Sequence, residues 1–183
     1  MAADRVAKLE RNTRETSVSV ELNIDGEGKF DVVTDVQFLK HMVETFARYA
    51  SFDIKMNASG DNEHHLVEDT AIALGEAVKR AVGNAPIERM ATATLPMDDA
   101  LVMTSLDMVD RPYADIDCPD PLYHHFFRSF AMSAGISLHI MAIRGFDEHH
   151  IVEASFKTLG KALGAATRQR AKELSTKDTV KVK

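Results

Sequence analysis

Residues 63–78 read EHHLVEDTAIALGEAV and residues 148–163 read EHHIVEASFKTLGKAL. An offset of 85 brings the Glu-His-His-x-Val-Glu core and the later Leu-Gly pair of the two stretches into register, so the chain contains a duplication. Each copy opens with two adjacent histidines and a glutamate three residues beyond the second, then runs on with apolar residues at helical spacing. The polar cluster therefore falls on the first turns of a helix in both halves. His64 and Glu68 are i and i+4 and point the same way, while His65 lies about 100° round the axis and faces elsewhere. One helix can thus serve two metal ions. His149, His150 and Glu153 repeat the pattern, and the pair of helices offers four imidazoles and two carboxylates, a borderline donor set suited to Mn, Fe, Co or Zn. A single such cluster reads as a solvated helix start with a favourable carboxylate. Two in register carry a common constraint that surface residues do not, and they point to metal.

Composition sets the frame around these helices. The chain has 183 residues, of which 45% are hydrophobic, enough to bury a substantial core in one unit built from two packed halves. A formal charge of −6 leaves no basic face outside the C-terminal tail, which argues against nucleic acid as a partner. The one cysteine, Cys118, excludes an intramolecular disulfide and fits a reducing interior. No stretch reads as a signal peptide or as a membrane-spanning run, so the expectation is a cytoplasmic protein with no membrane partner.

Outward from the histidine helices, the first half begins with a polar segment, residues 1–12, expected to be frayed. TSVSVELNI (16–24) alternates at period two, DGEG (25–28) turns the chain, and KFDVVTD (29–35) reads as the returning strand of a hairpin. FLKHMVETFARYA (38–50) has Phe38, Met42, Val43 and Phe46 at helical spacing, and FDIKMNAS (52–59) reads as a strand leading into the first histidine helix. The second half repeats this order: strands RMATATLPM and ALVMTSLDM, helix LYHHFFRSFAMSAG, strand ISLHIMAI, then the second histidine helix. At an offset of 84, Phe46-Ala47 falls opposite Phe130-Ala131, His41 opposite His125, and Lys55 opposite His139. The expected fold is α+β: duplicated β-β-α-β-α half-domains, about residues 13–86 and 87–172, with the helices packed between two sheets and a C-terminal tail over 173–183.

These residues resemble a known family along nearly the whole chain. RNTRETSVSVEL, FLKHM, HHLVED with ALG, PMDDAL, DRPY, FFRSFA, SLHI, EHHIVEASFKTLGKAL and STK occur in the order found in imidazoleglycerol-phosphate dehydratase, the histidine-biosynthesis enzyme. The resemblance implies a fold of the type seen in the second domain of ribosomal protein S5. It also implies a large octahedral homo-oligomer of about 24 subunits with active sites between subunits. Two Mn2+ per active site are implied too, with ligands on His41, His64, His65, Glu68, His139, His149, His150 and Glu153. In the reaction so implied, the metals grip the substrate's imidazole ring and assist loss of water from its glycerol phosphate chain, with Glu15 as acid-base group. Arg89, Arg111, Lys157, Ser175 and Lys177 match the positions that bind the phosphate, and the STK tail would close over it.

Several residues depart from the family's pattern. Lys40 stands where the family has Asp before the histidine, FARYA replaces FARHG, and the loop GDNEHH lacks the Asp that usually precedes the histidine pair. The lysine sets a positive charge near a cation site, and the missing aspartate removes a group able to orient an imidazole. His124 and His125 occupy positions that are acidic in the family and are read as surface or interface histidines, not ligands. The leading reading is a dehydratase acting on a phosphorylated imidazole. The alternatives are a diverged dinuclear metalloenzyme of another reaction on the same scaffold, and a module whose metals only join subunits. The phosphate-binding set and Glu15 disfavour both.

Overall fold

The structure is a computed structural model and describes residues 5–172 and 174. Its first half runs β1 (Val6–Asn12), β2 (Thr16–Asn23), β3 (Phe30–Thr34), α1 (Gln37–Ala50), β4 (Asp53–Gly60) and α2 (Glu63–Val82). The second half repeats the order as β5 (Met90–Met97), β6 (Ala100–Asp107), β7 (Tyr113–Ile116), α3 (Pro121–Ala134), β8 (Ser137–Arg144) and α4 (Glu148–Ala166). The two four-stranded sheets have the same topology, β1-β2-β4-β3 and β5-β6-β8-β7. The duplicated α+β architecture expected from sequence is thus present, with one more strand in each half than periodicity alone marks.

The differences have local causes. The segment expected to be frayed contains β1, because Ala7 and Leu9 alternate with charged residues and are buried against β2. The sheet of the first half therefore begins at Val6 and not near residue 13. β3 does not return along β2: it pairs parallel with β4, while β2 pairs antiparallel with β1 and β4. Asp53 directs this path, since its Oδ1 accepts the backbone N–H groups of Glu27 and Lys29 and so ties the 25–29 turn to the start of β4. β7 is its counterpart in the second half, four residues parallel to β8 and too short to show a period.

Each sheet buries one face under helices, and the helices pack crosswise between halves, α1 against α4 and α2 against α3. The Leu-Gly pair of the repeat marks these crossings. A Cβ on Gly75 would lie 2.6 Å from the Phe130 carbonyl oxygen, and one on Gly160 would lie 2.8 Å from that of Phe46. Only glycine lets the backbones approach this closely. Between the crossings Phe46, Phe126, Phe127, Phe130 and Phe156 form a buried aromatic cluster. The helix starts gather at one end of this core. Phe38 on α1 lies 5.0 Å from the ring of Tyr123 on α3 and 4.9 Å from that of His149 on α4, and Glu68 on α2 faces His125 on α3. No helix among the described residues is long and apolar enough to cross a membrane.

Candidate active site

The histidine helices begin where side chains capture their free N–H groups. Asn62 caps α2 by accepting from the His65 amide, and Asp147 caps α4 by accepting from the amides of His149 and His150. These caps fix where the first turn starts, and hence which way each imidazole projects.

Two mirrored clusters result, each made by helices of both halves. In the first, His64 and Glu68 of α2 meet His125 of α3: the His125 Nε2 is 3.2 Å from Glu68 Oε1, and the His64 and His125 rings stack with centroids 5.3 Å apart. One donor atom from each lies within 4.8 Å of the others. In the second, His41 of α1 and His149 of α4 stand 3.4 and 3.5 Å from Glu153 Oε2. His125, read from sequence as a surface or interface histidine, is therefore placed on a candidate ligand pair, at the position opposite His41. His124 makes no such contact.

His65 and His150 face the other way, as the helical spacing predicts, and each meets an aspartate. His65 Nδ1 is 2.9 Å from Asp61 Oδ1, and His150 Nδ1 is 2.6 Å from Asp99 Oδ1. The hydrogen bond that each imidazole donates to its aspartate, outweighing desolvation, raises the imidazole pKa above its ordinary value. Asp99 in turn is held well below the carboxylate range, first by His150 and then by the amides of Phe146 and Asp147. With the proton assigned to Nδ1 by these partners, Nε2 carries the lone pair a metal needs, open in His65 and 3.4 Å from Asp98 Oδ2 in His150. Sequence reasoning missed both aspartates. The orienting carboxylate that seemed absent before the histidine pair is supplied by Asp61, one turn earlier.

Glu15 sits on the turn between β1 and β2, exposed, with Oε2 3.4 Å from His65 Nδ1. Thr13 Oγ1 accepts the amides of Glu15 and Thr16, and the Glu15 carbonyl accepts from Asp61 N. Buried Asp69 anchors the same turn, accepting from Arg11 Nε at 2.7 Å and from the Thr16 hydroxyl. Glu15, Asp61 and His65 form the second close group of candidate donors.

The remaining predicted residues are not all brought together within one chain. His139 lies on the outer face of the second sheet, exposed, 3.8 Å from Asp115 Oδ2 and beside the Tyr113 ring, away from both helix-end clusters. Arg89 has φ +69°, donates to the Leu174 carbonyl at 3.0 Å and lies 2.8 Å from Asp107 Oδ1, off hydrogen-bond geometry. Arg111 is exposed. Lys157 is nearly buried and ion-paired with Glu153 at 2.8 Å, with the Tyr49 ring 5.7 Å away. Burial alone would raise the Glu153 carboxyl, but Lys157 and His41 outweigh it and hold the group below its ordinary value. Lys40 points to Glu44, at 4.0 Å, and not into a cluster. Ser175 and Lys177 lie outside the described residues.

These features define a duplicated α+β protein with two histidine–carboxylate clusters at one end of its helical layer. A family model for imidazoleglycerol-phosphate dehydratase matches residues 34–163. The chain is 46% identical to the imidazoleglycerol-phosphate dehydratase of Caldanaerobacter subterraneus, over 88% of this chain and 91% of that protein. It is 43% identical to the enzyme of the same name from Acetivibrio thermocellus, over 91% and 92%. Among solved structures, that of IGPD from Pyrococcus furiosus in complex with (S)-C348 superposes with a TM-score of 0.82 at 38% identity, covering 94% of this chain and all of that one. The chain belongs to the imidazoleglycerol-phosphate dehydratase family, and its function is that of a lyase of histidine biosynthesis that removes water from imidazole glycerol phosphate to give imidazole acetol phosphate.

Proposed function

We propose that the dehydration is manganese-dependent, with two Mn2+ per active site held by His41, His64, His65, Glu68, His139, His149, His150 and Glu153. The observation that carries this reading is the mirrored grouping of imidazole and carboxylate donors at the helix ends. The donor set fits: neutral imidazoles with a carboxylate are borderline ligands, and the carboxylates on Nδ1 fix the ring orientations of His65 and His150. When bound, the ions supply Lewis-acid and templating chemistry at the imidazole ring.

The chain's own residues do the rest. Glu15 is exposed beside His65, where its carboxylate removes a proton from the substrate's side chain and returns one to the departing hydroxyl. Thr13 and Asp69 hold its turn in place. Arg89, Arg111 and Lys157, with Ser175 and Lys177, bind the phosphate through charge-assisted hydrogen bonds. Lys157, paired with Glu153 at 2.8 Å, would be available to the phosphate were that carboxylate to hold a metal. Arg89 already grips the backbone at Leu174, the residue before the STK segment, which supports a role for that segment over the substrate.

The site is shared between copies in a large homo-oligomer of about 24 chains. Support comes from His139, which no cluster among the described residues includes, and from Met141, Ile143 and Phe146, exposed by 51%, 47% and 95% along and just beyond β8. The corresponding outward positions of β4 are Asn57 and Ser59. Single free Cys118 supports a cytoplasmic location. Light scattering before and after exhaustive chelation tests the shared site: the mass is expected to fall as metal leaves. An unchanged mass in protein shown to be metal-free contradicts it.

A further inference from the structure

His124 and His125 are the two imidazoles that the proposed ligand set does not use, and only His125 has the surroundings of a ligand. It sits on the first turns of α3, over the start of α2, with its ring stacked on His64 and its Nε2 3.2 Å from Glu68 Oε1. That contact is close enough for attraction but off the geometry of a hydrogen bond, and the Nε2 atom is shielded from solvent with no hydrogen-bond partner. A shielded imidazole nitrogen left unpaired costs free energy. Placing a cation between His125, His64 and Glu68 removes that cost. For bond lengths of about 2.0–2.2 Å, donors on one ion lie up to about 4.4 Å apart. The three donor atoms here lie within 4.8 Å of one another, so side-chain rotation of a few tenths of an ångström closes the site.

The duplication supplies an independent argument. His125 falls opposite His41 at the offset of 84, and His41 stands on Glu153 in the second cluster as His125 stands on Glu68 in the first. Both are carried by the helix that crosses a histidine helix from the other half. The α2–α3 crossing is held at backbone contact by Gly75, so the spacing between these donors is set by packing before any ion arrives. Unlike Glu153, whose charge is met by Lys157, Glu68 has no lysine or arginine within ion-pair distance among the described residues.

We propose that His125 is a further metal ligand, completing with His64 and Glu68 a three-donor divalent-cation site carried entirely by one chain. The proposal rests on the reading of His64 and Glu68 as ligands, and it makes this cluster the one that fills first, before neighbouring copies contribute. The test is Mn2+ titration of metal-stripped full-length protein, with Co2+ absorption as a second readout of nitrogen ligation, in wild type, His64→Ala, His124→Ala, His125→Ala and His125→Gln.

Replacing an outer residue that only orients a ligand weakens metal binding about 10–100-fold. Loss of a direct ligand is expected to reach or exceed the upper end of that range, for one class of ion only, in both His125 variants. His124→Ala is expected to bind as wild type does. The Co2+ spectrum of the tight equivalent should change in His125→Gln, whose amide keeps polarity and much of the volume and so guards against a folding artefact. Wild-type affinity in both His125 variants, with an ion lost in His64→Ala, overturns the proposal and leaves His125 as an ion-pair partner of Glu68. Undiminished binding in His64→Ala overturns the proposal together with the ligand reading beneath it.

Discussion

The two halves have the same sheet order, the same crossing glycines and the same cluster of two imidazoles on a glutamate, yet the two glutamates are in different electrostatic states. Glu153 is buried and already paired with Lys157, whereas Glu68 is half-buried and faces only imidazole. The difference comes from one position, since the residue matching Lys157 in the first helix is Ile72. A second asymmetry lies one residue beyond each glutamate. Asp69 holds Arg11 and Thr16 and so pins the Glu15 turn, while the matching residue, Ala154, packs in the core. Duplication fixed the backbone and the donor geometry. Single substitutions then gave one half a pinned Glu15 turn and the other a compensated carboxylate.

The largest expected effect separates chemistry from metal holding. Glu15→Gln should lower turnover about 10²–10⁴-fold, the usual contribution of a positioned proton-transfer group, with metal content unchanged. Steady-state kinetics beside metal analysis decides it. Near-normal turnover would move the proton work to another residue and dissolve the functional asymmetry between the halves.

The next effect asks whether the two crossings are equivalent. Gly75→Ala and Gly160→Ala each drive a methyl into a backbone carbonyl, and overpacking of that kind costs about 1–3 kcal/mol. Thermal unfolding of both variants should show comparable losses. A loss at only one position would show that one helix pair yields where the other does not.

The smallest effect compares the two aspartates behind His65 and His150. Asp61→Asn and Asp99→Asn should each weaken Mn2+ binding about 10–100-fold by releasing the ring that the carboxylate orients. Because both imidazole pKa values are raised in the metal-free protein, protons compete with the ion up to a pH above the ordinary imidazole value. Metal uptake should therefore rise with pH through that range in wild type and at lower pH in the Asn variants. Isothermal titration across pH measures this, and identical profiles would remove the aspartates from the account.

What was legible in the sequence was what repeats. The two histidine helices, their Leu-Gly crossings and the strand–helix order around them were visible because residues at fixed offsets carry the same constraint. β1 was not, because its inward face is only Ala7 and Leu9 among charged neighbours, and its pairing depends on β2. β3 passed for a hairpin return because nothing local reveals that Asp53 ties its turn to β4. The orienting role of Asp61 and Asp99 depends on how two loops fold over their histidines. His125 is in register with His41 at an offset of 84, and its contact with Glu68 becomes visible only when α3 packs over α2.

The most direct test of the account is a manganese titration of stripped, full-length protein in which bound metal and dehydration of imidazoleglycerol phosphate are measured in the same samples. The account predicts no turnover without metal and a rise that levels off at two ions per chain. Full turnover in protein shown to contain no metal would contradict it.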